Sequence, residues 1–276
     1  MALIAMLSPG GSPGVTTTAL SLALAWPRRV VLAECDPSGG AVAAGLWGGR
    51  VPAGRRGLQY FALEAQCRPR QAPDALAEYV IPLAEDHDER VVLPGVADPL
   101  RSRRLASAWP ALTEALTALD SDVIADAGRF DGDTALDPLL AKALMIIMVL
   151  RPTIRQITAA RPRLAALRQL PGGCPTVGIG VIGRGAYGGG ASGHHAFGHD
   201  GSRAICAALN APVLFEIPDD PAAAAVLSDG ATGCSEFGSS ALMLAAGTAA
   251  ACLDARAGGR SRPNAARLAA TGGNGR

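Results

Sequence analysis

Short apolar runs recurring along the chain, each followed by a stretch of helical character, most constrain what this sequence can fold into. The runs are Leu3–Leu7, Arg29–Glu34, Arg90–Leu93, Asp122–Asp126, Met145–Leu150, Thr176–Ile182 and Pro212–Ile217. Continuous apolar runs of this length suit strands buried on both faces, as in a parallel sheet covered by helices. Helices are predicted between them at Thr16–Trp26, Pro99–Leu119, Thr153–Leu170, Ser202–Leu209 and Pro221–Leu227, and the Ala-rich stretch Ala241–Leu253 reads as a further packed helix. Pro99, Pro152 and Pro221 lie near helix starts, where a missing N–H costs little. The expectation is an α/β fold: a doubly wound, mostly parallel β-sheet with helices on both faces, in a single domain over residues 1–256.

Composition removes several function classes. Hydrophobic residues make up 49% of the 276 positions, so a large core is available, and a net charge of +1 argues against a generally basic nucleic-acid binder. Aromatics at 4% leave little for stacking on single-stranded nucleic acid. The six cysteines form no CxxC pair and read as reduced thiols rather than a zinc site or disulfide framework. The opening MALIAML has no basic region before its apolar stretch, so no signal peptide is expected. Ala143–Leu150 is too short to span a bilayer, which needs about 20 residues. The expected location is cytoplasmic.

Two stretches break the alternation. Arg184–Gly201 is glycine-rich and reads as a loop. His194, His195 and His199 cluster in it, but with only Asp200 nearby and no strand to fix them they read as exposed histidines rather than metal ligands. From Ala257 to Arg276 the chain is rich in Gly, Arg, Ala and Asn, with Arg260, Arg262, Arg267 and Arg276 and no acid, and is expected to be a disordered basic tail. Such a tail could touch nucleic acid or anionic lipid weakly, by charge alone. The run Arg101, Arg103, Arg104 reads as the solvated face of a helix.

The chemistry concentrates after the first strand. Ser8-Pro9-Gly10-Gly11-Ser12-Pro13-Gly14-Val15-Thr16-Thr17-Thr18 joins that strand directly to a helix. A Gly-rich turn at a helix N-terminus is an anion cradle: its amides converge, the helix dipole favours phosphate, and glycine permits close approach and positive φ. A threonine in the first helical turn can offer its hydroxyl to Mg²⁺.

This segment resembles the deviant Walker A loop, KGGxGKTT, of the ParA/MinD family of P-loop ATPases. Gly11, Gly14, Thr16 and Thr17 fall on matching positions. Three positions depart: Gly10 stands where the family has its signature lysine, Ser12 where it has its second glycine, and Val15 where it has the P-loop lysine. Lys142 is the only lysine in the chain, so no shift of register restores one. Glu34-Cys35-Asp36-Pro37-Ser38-Gly39 is similar to the family's DxDPxG segment, with Glu34 for the first acid and Asp36 for the acid that orients the attacking water. Asp122–Arg129 resembles Walker B, with Asp126 binding Mg²⁺ through water and Gly128-Arg129 forming a switch-like segment. Arg151-Pro152-Thr153 is similar to the loop after that region, and Ile217-Pro218-Asp219-Asp220 to the family's late proline loop near the base. The family's asparagine near Ile182 has no counterpart.

The resemblance implies a site for ATP or ADP with Mg²⁺. Gly10, Gly11, Ser12, Pro13, Gly14, Val15, Thr16, Thr17 and Pro218 would contact nucleotide, Thr16 and Asp126 the metal, and Asp36 and Asp126 the reacting end. It implies a homodimer that works with a protein partner as a positioning or regulatory factor, in partitioning or in pilus or secretion machinery, peripheral to membrane or nucleoid. A P-loop lysine stabilises charge as the γ-phosphoryl leaves, and valine offers neither charge nor donor, so hydrolysis is expected to be impaired or absent. Two rivals stay open: a slow working ATPase in which an arginine replaces the lysine, and an interaction protein that binds no nucleotide.

Overall fold

A computed structural model describes residues 1–11, 14–50, 54–84, 89–96, 98–132, 134–170, 175–183, 201–232 and 236–260. Its strands are β1 Leu3–Ser8, β2 Val30–Glu34, β3 Ile81–Pro82, β4 Arg90–Leu93, β5 Asp122–Arg129, β6 Met145–Leu150, β7 Thr176–Ile182 and β8 Val213–Ile217. Its helices are α1 Val15–Leu24, α2 Val42–Trp47, α3 Leu58–Cys67, α4 Ala72–Ala75, α5 Pro99–Arg104, α6 Trp109–Thr117, α7 Asp137–Lys142, α8 Ile154–Leu167, α9 Gly201–Leu209, α10 Pro221–Asp229 and α11 Ala241–Arg260.

The strands form one sheet in the order β3-β4-β2-β5-β1-β6-β7-β8. Every pairing is parallel except the short antiparallel contact of β3 with β4. β1, β5 and β6 lie at the centre, and β1 and β6 are buried throughout, which is why their sequences read as unbroken apolar runs. Alternate residues serve opposite faces. Leu3, Ala5 and Leu7 join a core with α3, α4, α6, α7, α8 and α9, whereas Ile4 and Met6 join a second core with α1, α2, α10 and α11. The doubly wound sheet expected from the sequence is therefore present. No helix among the described residues is long and apolar enough to cross a membrane.

Several elements differ from expectation. The single helix expected over Pro99–Leu119 is divided into α5, a 3-10 turn at Ala106–Ala108 and α6. Pro110 lies in the first turn of α6 and cannot donate backward into a continuous helix. The strand expected at Asp122–Asp126 runs on to Arg129. The last helix continues to Arg260, four residues into the stretch expected as tail, and Ala257 packs in the core. Residues 261–276 lie outside the described residues.

Candidate functional site

The carboxyl ends of β1, β2 and β5 gather the residues singled out by sequence. β1 ends at Ser8 and the chain turns through Gly10 (φ 147°) and Gly11 (φ 69°), entering α1 through Gly14 (φ 103°). A Cβ at Gly10 or Gly11 would meet nothing within 4 Å, so the turn stands clear of the core. Gly14 adopts a left-handed conformation that disfavours any side chain, and the Ile182 Cδ1 would lie 3.3 Å from a Cβ placed there. Ser12 and Pro13 lie outside the described residues. Gly14 brings no side chain to cap α1, and its first-turn amides have no partner within the helix, so Val15, Thr16 and Thr17 present N–H groups toward the turn.

Val15 itself points the other way. It is 6% exposed and packs in the core beneath α1 with Ile182, Ile4 and Met6 among its cluster. The position where the resemblance has a lysine is thus part of the hydrophobic core. Lys142 sits at the end of α7, just before β6 begins, at the opposite edge of the sheet, and its ammonium pairs with Glu114 at 2.9 Å.

Asp126 is buried near the end of β5, opposite Met6 on β1 and Glu34 on β2. Its carboxyl accepts a hydrogen bond from the Gly128 amide at 3.0 Å, and the Thr16 side chain lies close enough to favour its charged form. Burial pushes its pKa from 3.8 up to about 7; Thr16 and the Gly128 amide oppose the rise, and the nearby charges of Glu34 and Asp36 add to it. Asp36 caps its own turn, accepting from the Ser38 amide at 2.7 Å. Its carboxylate lies against the bare Cα of Gly128, since a Cβ there would be 2.1 Å from the Asp36 Cγ. Loop, Thr16, Asp36 and Asp126 therefore share one end of the sheet.

Glu34, standing for the first acid of the resembling motif, is engaged with the backbone. One carboxylate oxygen accepts from the amides of Ala41 (2.7 Å) and Val42 (2.8 Å), and the other from Gly95 (2.9 Å). These bonds saturate a buried side chain and tie the start of α2 to the segment after β4. Cys35, between the two acids, is fully buried; desolvation and then the charges of Asp126, Glu34 and Asp36 raise its thiol well above the ordinary range, which makes it unreactive.

Pro218 lies at the end of β8, three strands from β1. The neighbouring Asp219 amide donates to the Gly183 carbonyl at 3.0 Å, its carboxylate pairs with Arg151 at 2.9 Å, and Asp220 caps α10. Ile182 is the side chain that links this end of the sheet to the loop. Arg129, expected in a switch-like segment, stands opposite Ser8 in register. Arg163 of α8, which no motif pointed to, donates to the Phe130 carbonyl at 2.7 Å. A separation of 33 residues leaves no local pattern for that contact. His194, His195 and His199 lie outside the described residues. Among the described residues no three His, Cys, Asp or Glu side chains come together as a metal site. One hydroxyl and one carboxyl suit Mg²⁺ that arrives with phosphate and keeps its waters, rather than a metal held by protein alone.

No family model and no curated protein matches the chain. Solved structures do resemble it. A ParA family ATPase from Chlorobium tepidum is 15% identical, with a TM-score of 0.71 over 91% of this chain and 97% of that one. The septum site-determining protein MinD of Pyrococcus horikoshii, complexed with Mg-ADP, is 19% identical, with a TM-score of 0.69 over 95% and 99% of the two chains. An aspartate-to-alanine variant of Cyanothece McdA in complex with ATP is 16% identical, with a TM-score of 0.67 over 92% and 96%. At these identities the likeness is one of fold.

Proposed function

We propose that this chain is a ParA/MinD-like nucleotide-binding protein with impaired ATP hydrolysis, acting as a positioning or regulatory factor. The observation that carries the reading is the gathering of Thr16, Asp36 and Asp126 at one end of the sheet, beside a Gly-rich turn whose Gly10 and Gly11 stand clear of the core. Amides from Gly10 to Thr17 would hold phosphate oxygens, and the Thr16 hydroxyl and Asp126 carboxyl would hold Mg²⁺. When bound, Mg²⁺ would neutralise phosphate charge. On this reading Asp36 would orient a water at the reacting end, and Pro218 would border the base. Likeness of fold to a Mg-ADP complex of MinD and an ATP complex of McdA supports a nucleotide here. Likeness to a septum site-determining protein supports a positioning role. On this reading the protein pairs with a second copy, works with a protein partner and acts in the cytoplasm or at the periphery of membrane or nucleoid.

Impaired hydrolysis follows from Val15, which is turned into the core and leaves the loop without the lysine's charge. Single-turnover hydrolysis, with protein in excess over Mg-ATP, tests this. The expected rate is well below about 10⁻³ s⁻¹, the scale of an unassisted P-loop enzyme. A faster rate, abolished by Asp126→Ala, would instead establish a working ATPase.

A further inference from the structure

We infer that Arg129 supplies the positive charge at the γ-phosphate end of the site and so makes the protein favour nucleoside triphosphate over diphosphate. This rests on the nucleotide-binding reading of the loop. The residue is the last of β5 and is the register partner of Ser8, where β1 gives way to the loop. The next amide, that of Phe130, donates to the Ser8 carbonyl at 3.0 Å and fixes the two segments together. On the same strand Asp126 lies beside Thr16, so the strand that bears Arg129 at its end reaches both the start of the loop and the first turn of α1. Arg129 also borders a small crevice with Leu7, Pro37, Asp131, Leu136 and Leu140, at the end of β1, beside the turn after Asp36 and next to α7.

Electrostatics give this arginine work to do. Glu34, Asp36 and Asp126 are close enough to raise the Cys35 thiol together, so the edge is rich in carboxylates. A nucleoside triphosphate adds further negative charge, and the first turn of α1 holds no basic side chain. Among the described residues two strands carry an arginine at or just beyond the carboxyl end, β5 with Arg129 and β6 with Arg151. Arg151 is already paired with Asp219, on the side toward Pro218. Arg129 is exposed and forms no ion pair with a described carboxylate. Its long stem and planar fork suit a terminal phosphate, which presents several oxygens at once.

The test is calorimetric titration of wild type, Arg129→Gln and Arg129→Lys with Mg-ATP and with Mg-ADP. Arg129→Gln is expected to weaken Mg-ATP by about tenfold or more, the scale of a lost charged hydrogen bond, while Mg-ADP stays within about twofold. Arg129→Lys should recover part of the loss. If wild type binds Mg-ATP and Arg129→Gln leaves both affinities unchanged, or lowers both equally, the role of Arg129 is refuted and the nucleotide site stands. If wild type binds neither nucleotide, the site itself is refuted and the role of Arg129 with it.

Discussion

Asp126 is the residue on which site and stability meet. Its carboxyl is buried and held up at about 7, so near neutral pH much of it is protonated in the folded chain, although in an unfolded chain it ionises near 3.8. Between those values the folded state binds the extra proton, so this group lowers stability as pH rises from about 4 to about 7 and adds no further loss above that. Asp126→Asn keeps the shape without the titration. Its stability relative to wild type should rise across that window, toward a ceiling on the order of 4 kcal/mol, since each decade of pH is worth about 1.4 kcal/mol per group. Urea denaturation of both proteins from pH 4 to pH 8 checks this; a difference that stays flat with pH would contradict it. Asp126 was legible in the sequence because an acid at the end of an apolar strand, followed by glycine, is a local pattern. The function of Glu34 was not. Its amide partners at Ala41 and Val42 are near in sequence, but the third, at Gly95, lies 61 residues away and arrives only with the fold.

Between elements, the segment after β5 is clamped from two sides. The Phe130 amide donates to Ser8 on β1, and its carbonyl accepts from Arg163 on α8, whose second nitrogen is anchored on the Ala159 carbonyl. The start of α8 is itself fixed by Thr153, which accepts from the Gln156 amide, and by the Gln156 side chain, which accepts from Arg151. This chain of bonds connects β6, α8 and the end of β5 through backbone groups. Arg163→Ala should free the Phe130 carbonyl and raise hydrogen exchange at residues 128–132, with a stability loss of about 1–3 kcal/mol. Exchange unchanged at those amides would mean that Ser8 alone holds the segment. The division of the expected Pro99–Leu119 helix belongs to the same scale: its apolar content suits one helix, but Pro110 restricts the preceding residue and starts a new helix there.

Across the whole molecule, the sheet order brings β1, β2 and β5 side by side although other elements separate them in sequence. Open α/β sheets bind ligands at the carboxyl ends of their strands, near the point where the winding reverses, and the Gly-rich turn occupies that place beside β1. The central strands were legible because burial on both faces writes an unbroken apolar run. The edge strand β3 was not, since it has two residues, one buried and one exposed. α2 escaped because VAAGLW is short and bordered by glycines, and its start is held by Glu34 rather than by a local cap. The candidate site was legible in its residue types and order. Its sidedness was not: nothing local to Val15 tells that the side chain turns inward, because that depends on the packing of α1 against the sheet.

The most direct measurement is a calorimetric titration of Mg-ATP into the wild-type chain, repeated with Thr16→Val and with EDTA. If the turn from Gly10 to Thr17 cradles phosphate, one saturable site per chain should appear, weakened by EDTA and by loss of the Thr16 hydroxyl. Absence of binding heat in every condition, or an affinity indifferent to both Mg²⁺ and Thr16, would contradict it.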